Sequence, residues 1–181
     1  KRLQGPSAAH WLGTDGFGRD LLTRVIWGSR VSLEIGFFAT SLSLVVGTLL
    51  GGAAAYAGGG TDTVIMRVAD IQLSFPAILI ALLIDGVARV ALPTEAHDEI
   101  AIPVLIFAIG VSGWVQYART VRGSTLVEKN KEYVQAARVI GRHPLAIMLR
   151  HVMPNVMGPV LVILTDPAAT EIFTEATLSF L

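Results

Sequence analysis

The sequence predicts an all-α membrane protein: a polytopic bundle of transmembrane helices with one helical loop on the cytoplasmic side. Three observations carry this. Of the 181 residues, 52% are hydrophobic and only 15% are charged, against about a quarter charged in an ordinary soluble domain. Apolar runs near the length that crosses a bilayer, about 20 residues, recur along the chain. The basic residues, although balanced overall at 14 against 14 acids, crowd into one stretch between two of those runs.

Residues 1–30 form an extracytoplasmic segment leading into the core. "KRLQGPSAAHWLGTDG" contains no apolar stretch of the signal-peptide kind, and "GTDGFGRD" reads as turns, with Asp15-Gly16 the strongest local signal. The first span is Val31–Ala57, whose only charge is Glu34. Its Gly36, Gly47, Gly51, Gly52 and Ala53 to Ala55 offer small surfaces for close helix packing in lipid. "GGGTDT" (58–63) is a tight turn. It lacks the lysine of a phosphate-binding loop, so no nucleotide chemistry resides on this chain.

The second span runs from Val64 to about Ile84. Arg67 and Asp70 share one of its faces and read as an interfacial pair snorkelling to the headgroups. Pro76 should kink it. A polar connector, 85–99, leads to a third span at Ile100–Ala118, where Trp114 and Tyr117 fit an interfacial aromatic belt. The fourth span, Val156–Leu181, is interrupted by Asp166, Pro167, Glu171 and Glu175. Acids at membrane depth face a bundle interior or a water-filled path. These three acids are therefore candidates for a translocation path or for pairing with another subunit. The chain ends in mid-pattern at "EATLSFL", an expectation of further sequence at both ends.

Seven basic residues lie between Arg119 and Arg150, whereas the 85–99 connector has Arg89 alone against Asp85, Glu95, Asp98 and Glu99. The positive-inside rule puts 119–155 in the cytoplasm and 85–99 outside. Residues 1–30 then lie outside despite Lys1, Arg2, Arg19, Arg24 and Arg30; the loop has the larger excess and decides.

Within the loop, Asn130 is placed to cap a helix that begins at Lys131. Tyr133, Ala136, Ala137 and Ile140 recur on one face, and Gly141 ends the helix. Pro144 opens a second helix with Leu145, Met148, Leu149 and Val152 on one side, and Pro154 ends it. Three uses suit such a unit: lying greasy side down on the membrane, reading DNA, or docking a cytoplasmic partner. Spans on both sides disfavour nucleic acid. The small Ala136–Ala137 face favours docking. There are no cysteines, His143 and His151 are eight apart without an acidic partner, and no metal site or nucleophile motif is completed.

"EYVQAARVIG" with "RHVMPN" resembles the cytoplasmic EAA loop of bacterial ABC-importer permeases. That pattern is Glu-Ala-Ala, three residues, Gly, nine residues, Ile, any residue, Leu-Pro. Here Gln135-Ala136-Ala137, Gly141, His151, Met153 and Pro154 fill it. Gln135 replaces Glu, His151 replaces Ile and Met153 replaces Leu. "HWLGTDGFGRDLLTRVIWGSRVSL", "DTVIMRVADIQLSFPAILIAL" and "EATLSFL" are similar to the peptide and nickel group, nearest the second permease subunit. The resemblance covers nearly the whole chain.

It implies a type I importer bundle in the bacterial cytoplasmic membrane that carries di- or oligopeptides, with nickel or glutathione as the alternatives. It implies a homologous second permease, two cytoplasmic ATPases holding the ATP and magnesium, and an extracytoplasmic substrate-binding protein that "GTDGFGRD" could contact. No cofactor or catalysis is expected on this chain, and the family's first and last spans are expected to be absent. Glu132, Tyr133, Gln135, Ala136, Ala137, Gly141, Met153 and Pro154 become the ATPase-docking residues. The rival from another class is a self-sufficient channel or proton-coupled transporter using the span acids as a relay.

Overall fold

The computed structural model describes residues 2–91, 93 and 97–180, and, among these, helices only apart from one isolated β-bridge. The side chains of 97–99, 165–168 and 179–180 lie outside the described set, which takes in the Asp166 side chain. In chain order the helices are α1 (Leu21–Ala57), α2 (Gly59–Leu73), α3 (Ala77–Ala91), α4 (His97–Glu128), α5 (Glu132–Val139), α6 (Pro144–Ile147), α7 (Met153–Ile163) and α8 (Thr165–Phe180). A π-helical turn, Met148–Val152, joins α6 to α7 without a break.

Residues 2–20 fold around two carboxylates. Asp15 accepts hydrogen bonds from the backbone N–H groups of Phe17 and Arg19 and from the side chains of Arg19 and Arg24. The Arg19 backbone N–H, first among these, holds its carboxyl well below the usual carboxylate range. Asp20 caps α1 by accepting from the Thr23 N–H and hydroxyl, and pairs with His10 Nδ1 at 3.0 Å. The helix therefore starts at Leu21, upstream of the expected Val31, because a cap precedes it there.

α1 and α4 form the central seam. A side chain at Gly47 would meet Tyr117 Cβ at 2.5 Å and the Trp114 carbonyl at 2.6 Å, and one at Gly51 would collide with the Ala118 backbone. The small residues thus let two backbones approach. Trp114 and Tyr117 are buried in this seam, not in the expected aromatic belt. The Trp114 indole donates to Gln72 Oε1 at 2.7 Å. Gln72 in turn donates to the carbonyls of Val111 and Ser112.

The expected turn at 58–63 shrinks to Gly58, whose φ of 65° is the conformation that glycine adopts without strain. Residues 59 onward are already helical. At Ser74–Pro76 the chain turns far more than a kink: α2 and α3 are inclined at 91°. α4 continues past Ala118 to Glu128, so Arg119 and Arg122 belong to a helix and not to a loop. By length and hydropathy, α1, Ile100–Glu128 and Pro144–Ile163 are each able to cross a membrane, and the bent α2–α3 pair makes a fourth crossing if it counts as one. Phe37, Leu49, Leu83 and Val162 stand exposed on the outside, as lipid-facing or subunit-facing side chains do.

Candidate functional site

The basic loop is a folded extension of the bundle. Asn130 does not cap α5 as expected. Its Nδ2 donates back to the Leu126 carbonyl at 3.0 Å, so it finishes α4, and Lys131 takes the cap position. Gln135 Nε2 donates to the Asn130 carbonyl at 3.1 Å and closes the connection. Gly141, at φ 76°, ends α5 in a Schellman arrangement: its N–H donates to the Arg138 carbonyl and the Arg142 N–H donates to the Ala137 carbonyl. His143 then caps α6, its Nδ1 accepting from the Leu145 N–H at 3.3 Å, and Pro144 takes the first turn.

Tyr133 is the hub. Its hydroxyl donates to Glu128 Oε2 at 2.7 Å and accepts from Asn155 Nδ2 at 3.1 Å, so one side chain joins the end of α4, α5 and α7. Burial first, and then the bond to Glu128, push this hydroxyl above the ordinary phenol value, which keeps it a neutral donor. Lys131 Nζ meets Glu128 Oε1 at 2.7 Å, and that hydrogen bond raises the ammonium above its usual value.

The two faces of α5 separate sharply. Val134 and Ala137 are buried, with Tyr117, Val121, Ile147, Met148, Val152 and Val156, in a core belonging to this chain. Ala137, expected on the docking face, therefore looks inward. The outward face carries Glu132, Gln135, Ala136 and Arg138, and then Val139 and Ile140, which are 87% and 74% exposed. Val139 went unnoticed in the sequence, although its spacing of three from Ala136 places both on one face. On the second helix, Met148 and Val152 face in while Leu145 and Leu149 face out, so the expected four-residue greasy side is divided.

Pro154 does not end that helix. It sits in the first turn of α7, where the preceding π turn accommodates it. Met153 is half-buried, with its methyl against Gly52 of α1.

Salt bridges tie this end of the bundle together. Arg122 holds Asp62 through two contacts, at 2.5 and 2.6 Å. Arg119 meets Asp70 at 2.6 Å. The expected pairing of Asp70 with Arg67 is thus replaced by a contact between helices. Lys129 Nζ donates to the Ala55 carbonyl at 3.0 Å, bringing the ends of α1 and α4 to the same side. Beneath α5 lies a cavity of about 560 Å³, lined by Tyr56, Lys129, Val134, Arg138 and Met148 among others.

The span acids sit elsewhere. Glu171 and Glu175 are each 5% exposed. Glu171 meets Thr40 and Ser43 of α1. Glu175 lines a second cavity, of about 590 Å³, with Asp85 and Arg89. Among the described residues no cluster of His, Cys, Asp or Glu could hold a metal ion.

Residues 43–180 match the model of the binding-protein-dependent transport system inner membrane component family. The oligopeptide transport system permease protein OppC of Bacillus subtilis is 40% identical over 97% of this chain and 54% of its own length. The glutathione transport system permease protein GsiD of Pectobacterium atrosepticum is 38% identical over 98% and 56%. A putative peptide transport system permease protein of Brucella suis is 43% identical over 99% and 57%. The chain thus spans little more than half the length of these relatives. A crystal structure of an amino acid ABC transporter with histidines superposes with a TM-score of 0.60 at 16% identity, over 90% of this chain and 76% of that one, a likeness of fold. The chain belongs to the family of binding-protein-dependent transport system inner membrane components.

Proposed function

We propose that this chain is the membrane-spanning core of a permease subunit in an ATP-driven importer of di- or oligopeptides. It sits in the bacterial cytoplasmic membrane with α5 and the turns on either side of it, between α4 and α6, inside the cell. Its partners are a homologous second permease, two ATPases that carry the ATP and magnesium, and an extracytoplasmic substrate-binding protein. The chain itself performs no catalysis. The observation that carries this reading is the division of α5. Val134 and Ala137 anchor it in the bundle, while Ala136, Val139 and Ile140 are offered outward within a ring of Arg138, Arg142 and Gln135. An exposed apolar patch with a polar rim is the anatomy of a protein interface. α6 runs through the π turn into α7 without a break, and α5 is bonded through the Tyr133 hydroxyl to Glu128 of α4 and Asn155 of α7, so displacement of α5 pulls on two helices, each of which moves as a rod.

The peptide substrate rests on the names of relatives such as OppC of Bacillus subtilis. Glutathione is the second reading, favoured by the GsiD relative. The test is uptake by the reconstituted complex of labelled dipeptide, glutathione and nickel, with ATP hydrolysis followed in parallel. Dipeptide-stimulated uptake that is lost in Gly141→Arg, while ATPase activity persists uncoupled, supports the reading. Uptake without any bound ATPase contradicts it.

A further inference from the structure

Several hydroxyls in these helices bond back to the carbonyl one turn earlier, as Ser41 does to Phe37, Thr63 to Gly59, Ser112 to Ala108 and Thr177 to Phe173. Thr40 and Ser43 depart from this habit and cross to another helix. Thr40 Oγ1 donates to Glu171 Oε2 at 2.5 Å. Ser43 Oγ lies 2.8 Å from Glu171 Oε1 and 2.8 Å from the Gly110 carbonyl oxygen. Gly113 leaves the room, since a side chain there would meet Glu171 Oε1 at 2.5 Å and Ser43 Oγ at 2.7 Å.

Counting protons decides the state of the acid. A serine hydroxyl has one proton, and a carbonyl only accepts. If Glu171 were ionised, Ser43 would stand between two pure acceptors with one proton for both. One of its two 2.8 Å contacts would then bring lone pair against lone pair in a buried site. A proton on Oε1 resolves the arrangement. Oε1 donates to Ser43, Ser43 donates to the Gly110 carbonyl, Thr40 donates to Oε2, and each proton is used once. None of the ion pairs among the described residues involves Glu171. Its titratable neighbour is Tyr117 of α4, which brings no positive charge. An isolated buried carboxylate is costly, and neutralisation is the cheaper outcome.

We propose that Glu171 is a neutral, protonated positioning residue: a bracket pinning α8 to α1 and α4 at mid-bundle. It is not a negative charge awaiting a substrate ammonium or a hopping proton. The inference rests on the proposed membrane placement and not on the substrate, and neither of its readouts requires peptide or ATP.

The test uses the full transporter complex. The wild-type minus Glu171→Gln infrared difference spectrum at neutral pH should contain a protonated-carboxyl C=O band. The amide of Glu171→Gln can donate to Ser43 and accept from Thr40, so its unfolding midpoint should stay within about 2 °C of wild type, whereas Glu171→Ala, which opens a void, should fall by about 5 °C or more. A difference spectrum with carboxylate bands alone, or a Gln variant as unstable as the Ala variant, overturns the proposal.

Discussion

At the loop end of the bundle, Arg122 grips Asp62, Arg119 meets Asp70 and Lys129 reaches the Ala55 carbonyl. Further along the bundle, α1 meets α4 through Gly51 and Gly47, and meets α8 and α4 through the neutral hydroxyls of Thr40 and Ser43. The difference follows the solvent. Charged pairs occupy the end where water can hydrate what the partner does not, while the middle is held by backbone approach and satisfied polar atoms. The lesson concerns movement. The glycine seam packs α1 and α4 backbone to backbone, so the two shift together, the ion pairs add α2 to that unit, and Tyr133 and Lys131 tie the loop to its Glu128 end.

The largest effect is expected at the glycine seam. Gly51→Leu drives a side chain into the Ala118 backbone and should cost about 1–3 kcal/mol or more, read as loss of assembled permease in membranes. Gly123→Ala on α4 meets nothing within 4 Å and should be neutral or gain about 0.5–1 kcal/mol. Next is the outward face of α5, the proposed docking surface. The double change Val139→Asp with Ile140→Asp alters two exposed side chains. It should leave the melting temperature unchanged while cutting ATP-dependent uptake about tenfold or more, since central apolar contacts dominate an interface. A smaller effect is expected from Arg122→Gln, which loses the bidentate pair with Asp62. A cost of about 1–2 kcal/mol, discounted for partial exposure, should appear in thermal unfolding of the purified protein.

The smallest effect belongs to the N-terminal segment. Asp15 is lowered from its reference value of 3.8. Its carboxylate therefore supports the segment fully above that value and loses this role as pH falls through the lower folded value. Hydrogen exchange at the Phe17 and Arg19 amides should show protection at neutral pH, loss in strong acid, and early loss in Asp15→Asn, with the helices unaffected.

Much of the bundle was legible because hydropathy is a bulk property: a run such as Val31–Ala57 declares itself whatever it packs against. Ends were less so. α4 overran Ala118 because Arg119 and Arg122 are neutralised by acids on another helix, a pairing that no local spacing reveals. Trp114 and Tyr117 suited a belt by position, but the glycines opposite them made a buried slot instead. In the loop, the helix, its Gly141 stop and the Pro144 start followed from local rules. Which face of α5 looked outward did not, because alanines at 136 and 137 satisfy either side. Only tertiary packing buried Ala137 and left Val139 and Ile140 outside. The Glu171 bracket depends on residues from three helices and could not be seen from spacing.

The proposed ATPase contact on the outward face of α5 can be tested directly. None of these 181 residues is a cysteine, so a cysteine placed here is the sole one that this segment contributes. Val139→Cys, at an 87% exposed position, and Val134→Cys, at a fully buried one, should be compared in the intact complex in membranes with a short thiol cross-linker. The first should be captured by an ATPase chain and protected from reagents added outside the cell, while the second should capture nothing. Val139→Cys linked only to lipid, or labelled from the outer face, would contradict it.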